Sequence, residues 1–320
     1  MNLLGIPVIT AVQTAEILPH INVREAMRRV FACLANGQAL QPAQKVVLLP
    51  DNQGDFINYF GVDMSQQLLG VKISPYLVTE TAPVITAWTM LMSTKDGMPL
   101  MLCDASLLTI ERTAATTALA VDMLAPANAD TLSIIGAGVV ARAHIRHVLK
   151  LRTWKQIRIY NRSKSLSADE LCQELDLPTE LLKVCTDVEE AIRETDVLML
   201  CTSSATPVFD INLLTRPCLI TSISTNAPSA HEVSPQILTE MDVYCDYRQT
   251  TPYSAGEMVI AARETAWCVE NVLGDLPELV TGTCTKPSYR RHVYFRSLGL
   301  GLEDVAIADS ILTYLKEQER

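Results

Sequence analysis

Apolar and polar positions alternate with two different periods along this chain, and the pattern changes near residue 130. In the N-terminal third, Val23, Ala26, Met27, Val30, Phe31 and Leu34 recur at helical spacing and form one apolar stripe. Asn22 stands as its N-cap with Glu25 three residues on, the spacing of a capping box, and Gly37 ends it. Strand-like runs follow at Val46–Leu49, Phe56–Phe60, Leu69–Ser74 and Val84–Met92. Turn residues such as Asp51-Asn52-Gln53-Gly54 and Asp96-Gly97 separate them. Asp104 then reads as the cap of a long Ala- and Leu-rich helix, Ala105 to Leu124, closed by Pro126. This third predicts a mixed α+β module.

From Thr131 onward, short apolar strands alternate with helices, as in a parallel sheet covered on both faces. The run TLSIIGAGVVARAHIRHVLKLRTWKQIRIYNR predicts strand, glycine turn, helix and second strand. Asp187–Glu194 predicts a helix, Asp196–Leu200 a buried strand, and Cys218–Ser224 and Asp242–Asp246 two more; Glu303–Glu317 is again helical. The fold class expected is therefore α/β, with a doubly wound half beside the α+β module. The expected division is residues 1–125 with 303–320, and 126–302.

Chemistry enters first through the glycine turn. Gly136-Ala137-Gly138-Val139-Val140-Ala141 has the GxGxxG/A form, and the flanking strand and helix give it the context that form requires. The first Gly permits the tight turn, and the second lets a pyrophosphate approach the backbone. Ala141 lets helix and strand pack closely, and the helix N-terminus faces the negative charge. Gly136, Gly138, Val139 and Val140 are thus candidate cofactor-binding residues of a Rossmann-type domain. At the end of the second strand, Asn161, Arg162 and Ser163 stand where an NAD site usually has a carboxylate for the ribose 2′-hydroxyl. A cation and a hydroxyl suit a 2′-phosphate, so NADP(H) is preferred and NAD(H) possible; the alternative is a solvated basic turn. Ligands of such sheets sit beyond the carboxyl ends of the strands, which makes Thr202, Ser203, Thr225 and Asn226 candidates on position alone.

Composition narrows the partners. A net charge of −10 without a long basic run argues against nucleic acid or an anionic membrane. Nine cysteines with no CxxC read as buried thiols in a reducing compartment. No signal peptide is evident, and no stretch reaches the roughly 18 uninterrupted apolar residues of a membrane span. The expectation is a soluble cytoplasmic protein. No metal site stands out: His144 and His147 lie three apart on the glycine-loop helix, lack a third ligand, and read as solvated helix histidines. Two polar residues remain. Lys72 interrupts an apolar strand, where an unpaired ammonium is costly, and Arg112 sits among small residues in Glu111-Arg112-Thr113-Ala114-Ala115. Each is a candidate ligand-binding cation or one half of an ion pair.

The segments Gly70-Val71-Lys72, Glu111–Ala115, Gly136–Ala141 and Phe295-Arg296-Ser297-Leu298-Gly299-Leu300-Gly301-Leu302-Glu303-Asp304 carry a resemblance to the ornithine cyclodeaminase/mu-crystallin family that runs almost end to end. The resemblance implies a homodimer whose α+β module both dimerises and holds the substrate. It implies that Lys72 and Arg112 bind the substrate and that the Ser297–Asp304 loop, with Ser297 and Leu298 as cofactor-binding residues, closes near the nicotinamide. The family's reactions pass through an imine beside a carboxylate, so the substrate is a small carboxylate-bearing imine or amino acid.

Two departures bear on the reaction. Gln44 stands where the family commonly has an Arg, and losing one charge-assisted contact costs roughly 1.5–3 kcal/mol. Asn226 stands where cyclodeaminases place an Asp, and an amide neither accepts nor gives a proton at neutral pH. The leading expectation is an NADPH-dependent reductase of a small ketimine of the pyrroline- or piperideine-2-carboxylate type. Lys72, Arg112 and Asn226 would be catalytic, and Gln44, Lys72 and Arg112 would bind substrate. The alternatives are an NAD-dependent ornithine or lysine cyclodeaminase or amino-acid dehydrogenase, an opine-like secondary-amine synthase, and a non-catalytic NADPH-binding protein.

Overall fold

The computed structural model describes residues 5–162, 166–224 and 229–318. They form two compact units, Met1–Arg112 with Gly299–Arg320, and Thr113–Leu298.

In the first unit, β1 (Val8–Ile9), β2 (Ala39–Leu40), β3 (Lys45–Leu48), β4 (Gly54–Asp63), β5 (Leu68–Leu77), β6 (Val84–Ile85), β7 (Trp88–Ser93) and β8 (Pro99–Asp104) make one sheet. Its order is β1-β8-β7-β5-β4-β2, with β3 added to β4 and β6 to β5. All pairings but β1–β8 are antiparallel. The C-terminal helix (Gly301–Gln318) packs over β4, β5 and β7, and α2 (Val23–Ala35) packs on that helix; α1 (Ala11–Ile17) precedes α2. The expected α2 stripe faces inward: Val23, Ala26, Met27, Val30 and Phe31 are buried, and the Asn22 side chain accepts from the Glu25 amide at 3.2 Å.

Two expectations change in this unit. The Val84–Met92 run is two strands, broken where the Ala87 carbonyl accepts the Ala105 amide at 2.8 Å. Asp104 ends a strand that the sequence pattern did not reveal, β8, and its carboxylate accepts from the Ser106 amide at 2.9 Å, so α3 begins at Ser106 (Ser106–Leu124).

Strand alternation sorts this sheet into two faces. Tyr59, Lys72, Thr89 and Cys103 are mutual register partners across β4, β5, β7 and β8, forming one row on the buried face. The next row holds Gly61, Gly70, Leu91 and Met101. At Gly61 a Cβ would lie 2.6 Å from the Leu302 Cα. The absent side chain is what lets the C-terminal helix settle on the sheet. The opposite face carries exposed Phe60, Ile73, Trp88 and Met90.

The second unit holds β9 (Thr131–Ile135), α4 (Val139–Leu149), β10 (Gln156–Tyr160), α5 (Ala168–Leu175), β11 (Leu182–Val184), α6 (Val188–Ile192), β12 (Val197–Leu200), β13 (Leu219–Ser222), β14 (Asp242–Cys245), α7 (Gly256–Glu264), β15 (Val272–Asp275), α8 (Leu276–Thr281) and β16 (Val293–Arg296). The sheet is parallel throughout, in the order β11-β10-β9-β12-β13-β16-β14-β15. β12 and β13 are buried at every position, as a sheet covered on both faces requires. The strand order reverses between β9 and β12, the position where doubly wound sheets open a crevice. β11, β15 and β16 were not evident in the sequence. β16 is short and ends in Arg296, whose charge reads as a strand boundary. In the fold its guanidinium is buried 3.0 Å from Glu257.

The nine cysteines are free thiols, six of them buried. Among the described residues no helix is long and apolar enough to cross a membrane.

Candidate active site

The crevice of the second unit is a cleft of about 580 Å³ at the carboxyl ends of β9 and β12. Gly136 takes φ +112°, and a Cβ there would collide with the Cys201 carbonyl of the neighbouring strand end, so the turn admits only glycine. Gly138 is the N-cap of α4, and a Cβ there would meet nothing within 4 Å. This open cradle at a helix N-terminus is the shape and polarity a pyrophosphate requires. Ala141 is fully buried beneath it. The residues present therefore fit a dinucleotide. Of the cofactor candidates, Gly136, Gly138, Val139, Val140, Asn161, Arg162, Thr202 and Ser203 line the cleft. Ser163 lies outside the described residues. Ser297 and Leu298 follow β16 and are not among the lining residues; Asp246 holds them, accepting from the Leu298 amide at 2.6 Å and the Ser297 hydroxyl at 3.4 Å.

Sequence reasoning missed Glu232. It is fully buried and accepts four hydrogen bonds: the Thr202 amide at 2.7 Å, the Thr202 hydroxyl at 2.6 Å, the Ser222 hydroxyl at 2.7 Å and the Ser224 amide at 2.9 Å. One carboxylate thereby ties together the loops that follow β12 and β13. Its sequence context, His231-Glu232-Val233, carries no motif that signals this role.

The first unit assembles a second cluster from three elements. Lys72 comes from the buried row of β5, and Thr109 and Arg112 lie three residues apart on one face of α3. Glu303 and Asp304 come from the first turn of the C-terminal helix, where the helix dipole favours carboxylates. The Asp304 Oδ1 accepts from both cations, Lys72 Nζ at 3.0 Å and Arg112 Nε at 3.1 Å. Glu303 Oε2 accepts from Arg112 Nη1 at 3.0 Å, while its other oxygen accepts from the Leu300 amide at 3.2 Å. Lys72 Nζ also donates to the Thr109 hydroxyl at 3.3 Å and sits 4.1 Å above the Tyr59 ring. All four charged side chains are at most 4% exposed. Gly299, at φ +85°, passes so close to the Arg112 guanidinium that a Cβ would overlap it.

Burial sets the proton affinities here. It pulls the Lys72 ammonium down to about 8, with Asp304 opposing the fall and Arg112 adding to it. Burial also works against the Arg112 charge, but Asp304 and Glu303 outweigh it and hold that guanidinium above its ordinary value. The Cys103 thiol, in the same sheet row as Lys72, is pushed up to about 12 by burial and stays protonated.

Gln44 immediately precedes β3, and its Oε1 is buried without a hydrogen-bond partner among the described residues. Three residues earlier, Gln41 reaches the C-terminal helix, its Oε1 accepting from the Leu302 amide at 2.9 Å. Asn226 lies outside the described residues. His144 is not solvated as expected: it is fully buried, contacting the Val140 carbonyl at 2.8 Å and the Thr117 hydroxyl at 3.0 Å. Among the described residues no group of three metal-ligating side chains forms.

These two sites stand in a chain whose residues 8–319 match the model of the ornithine cyclodeaminase/mu-crystallin family. The chain belongs to that family. It is 52% identical over 304 residues to the NAD(P)H-dependent anabolic L-arginine dehydrogenase DauB of Pseudomonas aeruginosa, covering 95% of this chain and 96% of that one. It is 27% identical to the ketimine reductase mu-crystallin of Macropus fuliginosus, over 87% of this chain and 86% of that one. In fold it is similar to Thermococcus litoralis Delta(1)-pyrroline-2-carboxylate reductase, solved with NADH and L-proline, at a TM-score of 0.88, 22% identity and 98% of both chains. The family's α/β architecture, with a Rossmann-type sheet and a second domain, is the architecture described above.

Proposed function

We propose that this enzyme, an NAD(P)H-dependent oxidoreductase, reduces a C=N bond beside a carboxylate, with Arg112 and Lys72 binding the acid group. The imine is acyclic, formed from ammonia and a 2-oxo acid with a long cationic side chain. Run in reverse, the reaction is the oxidative deamination of a basic L-amino acid such as L-arginine. The observation that carries the reading is the buried Lys72–Arg112 pair sharing Asp304 Oδ1. Two desolvated cations side by side suit a planar carboxylate, and Arg supplies the forked donors that orient it.

The choice of a basic, acyclic substrate is supported by the relative at 52% identity, an L-arginine dehydrogenase. A charge argument points the same way. Lys72, Arg112, Glu303 and Asp304 sum to zero, so a ligand that brings its own cation adds no net charge to a buried region.

When bound, a reduced nicotinamide supplies hydride to the carbon of the C=N bond. Gly136, Gly138 and the N-terminus of α4 would hold its pyrophosphate, and Arg162 would favour a 2′-phosphate. Arg112 orients the ligand carboxylate, and Lys72 sits beside it and gives a proton to the ligand nitrogen. Asn226 and Gln44 orient the imine. With an amide at residue 226, the chain lacks the carboxylate that cyclodeamination uses. The exposed apolar face of the first unit's sheet, with Phe60, Ile73, Trp88 and Met90, fits a second copy of the chain. On that reading the enzyme is a homodimer.

A second reading, reduction of a cyclic ketimine, is supported by the relative at 27% identity, a ketimine reductase. The test follows NADPH oxidation with ammonia plus the 2-oxo acid of arginine, and separately with pyrroline-2- and piperideine-2-carboxylate. Turnover of the acyclic pair at the higher kcat/KM is expected. Turnover of the cyclic imines alone transfers the assignment to the second reading, and undiminished turnover in Lys72→Met and Arg112→Ala removes the residue roles altogether.

A further inference from the structure

We propose that Asp304 is a positioning residue that fixes the Lys72 ammonium and governs its readiness to give up a proton during imine reduction. This rests on the reading that Lys72 donates to the ligand nitrogen. Neither Asp304 nor Glu303 touches the reacting atoms on that reading; both act through the cations.

The geometry singles out Asp304 over its neighbour. Its two carboxylate oxygens both lie 3.0 Å from Lys72 Nζ, with hydrogen-bond geometry at Oδ1 only. Oδ1 is also the acceptor for Arg112 Nε at 3.1 Å. One oxygen therefore fixes the spacing of both cations. Glu303 accepts from Arg112 and from the Leu300 amide, and it acts on Lys72 through space, with a smaller influence than Asp304. From the other elements packed around it, Lys72 faces Thr109 and Arg112 on α3 and Tyr59 on β4; the Cys103 thiol of β8 lies farther along the same sheet row and is held protonated by burial. Asp304 is thus the direct anionic partner of this ammonium among the described residues.

Chemistry gives the contact a consequence. As the C=N bond is reduced, one Lys72 N–H bond breaks and one N–H bond forms on the ligand nitrogen. The lysine is left neutral and regains its proton from solvent; the electrons come from the reduced nicotinamide. Lys72 must therefore be protonated in the competent enzyme, and activity falls as pH rises through its titration. Burial already brings that titration down to about 8, close to working pH. Removing the Asp304 charge removes the largest influence holding it up, so the titration moves to lower pH.

Lysine side chains labelled with 15N at Nζ, with the Lys72 signal assigned from its loss in Lys72→Met, report this titration in the protein without cofactor. Asp304→Asn is expected to lower the Lys72 midpoint by roughly one pH unit or more, and Glu303→Gln to lower it by less. The alkaline limb of kcat/KM, measured with one substrate so that its own titration is common to all variants, is expected to move down by the same amounts. Should Asp304→Asn fail to fold, Asp304→Glu keeps the charge but displaces its oxygens from Lys72, and a midpoint and limb there identical to those of the unaltered enzyme overturn the proposal. An unmoved midpoint overturns the proposal. So does a midpoint that moves while the limb stays, because a purely structural Asp304 lowers the rate without displacing the limb. Full turnover in Lys72→Met is a different result and strikes the functional reading itself.

Discussion

The two candidate sites in this chain are built in opposite ways. The nucleotide cleft is mostly local: Gly136, Gly138, Val139, Val140, Asn161 and Arg162 fall within one strand–helix–strand unit. The cation cluster is assembled from afar, with Lys72 and Asp304 separated by 232 residues and Arg112 and Glu303 by 191. A local site depends on backbone shape, which a few glycines dictate. A long-range site depends on buried charges finding each other, so its members are answerable to stability as well as to ligand. The same Asp304–Lys72 contact that holds the C-terminal helix against the sheet also poises a titratable group.

That contrast is most exposed at Arg112. Arg112→Ala takes one cation from two buried carboxylates, Glu303 and Asp304, and stability should fall by about 3–5 kcal/mol in urea unfolding. Ligand affinity should fall as well. An unchanged unfolding midpoint breaks the view that this cluster is structural and functional at once.

Glu232 qualifies the contrast from the other side, since it is a distant residue serving the local site. An amide offers one acceptor oxygen to donors that now share two, so Glu232→Gln strands buried N–H or O–H groups. The expected cost is about 1–3 kcal/mol, with NADPH binding weakened by roughly tenfold. If fluorescence titration finds cofactor affinity intact, the loops after β12 and β13 do not need this tie.

The smallest effect is expected at exposed Arg162. Arg162→Ala should weaken NADPH by about tenfold or less while leaving NADH unchanged, because only the 2′-phosphate loses a charge-assisted partner. Equal weakening of both would show the residue serving the dinucleotide in general.

Much of the fold could be read from the chain. The α2 stripe, the glycine turn and the strands β9, β10, β12, β13 and β14 follow from periodicity and turn chemistry. What escaped has a common cause: burial of charge or irregularity that local pattern cannot anticipate. β16 hid because Arg296 is charged, and only its pairing with Glu257 makes that burial tolerable. β8 hid because Asp104 looks like a helix cap; it is one in effect, bonding the Ser106 amide from a strand end. His144 read as solvated because nothing local reveals that Thr117 lies over it. Gln41 escaped because its partner, the Leu302 amide, is 261 residues away. Lys72 and Arg112 stood out as anomalies, a cation in a strand and another among small residues. The carboxylates that answer them did not.

The sequence by itself determined where the backbone turns tightly, which faces are apolar, and that a glycine opens the N-terminus of α4 at Gly138, because these depend on spacings of a few residues. Only the tertiary structure decided which charges meet. Whether Lys72 is a solvated ammonium or a buried one brought down to about 8 depends on the water excluded around it and on Asp304 arriving from the far end of the chain, and neither is a property of any local stretch.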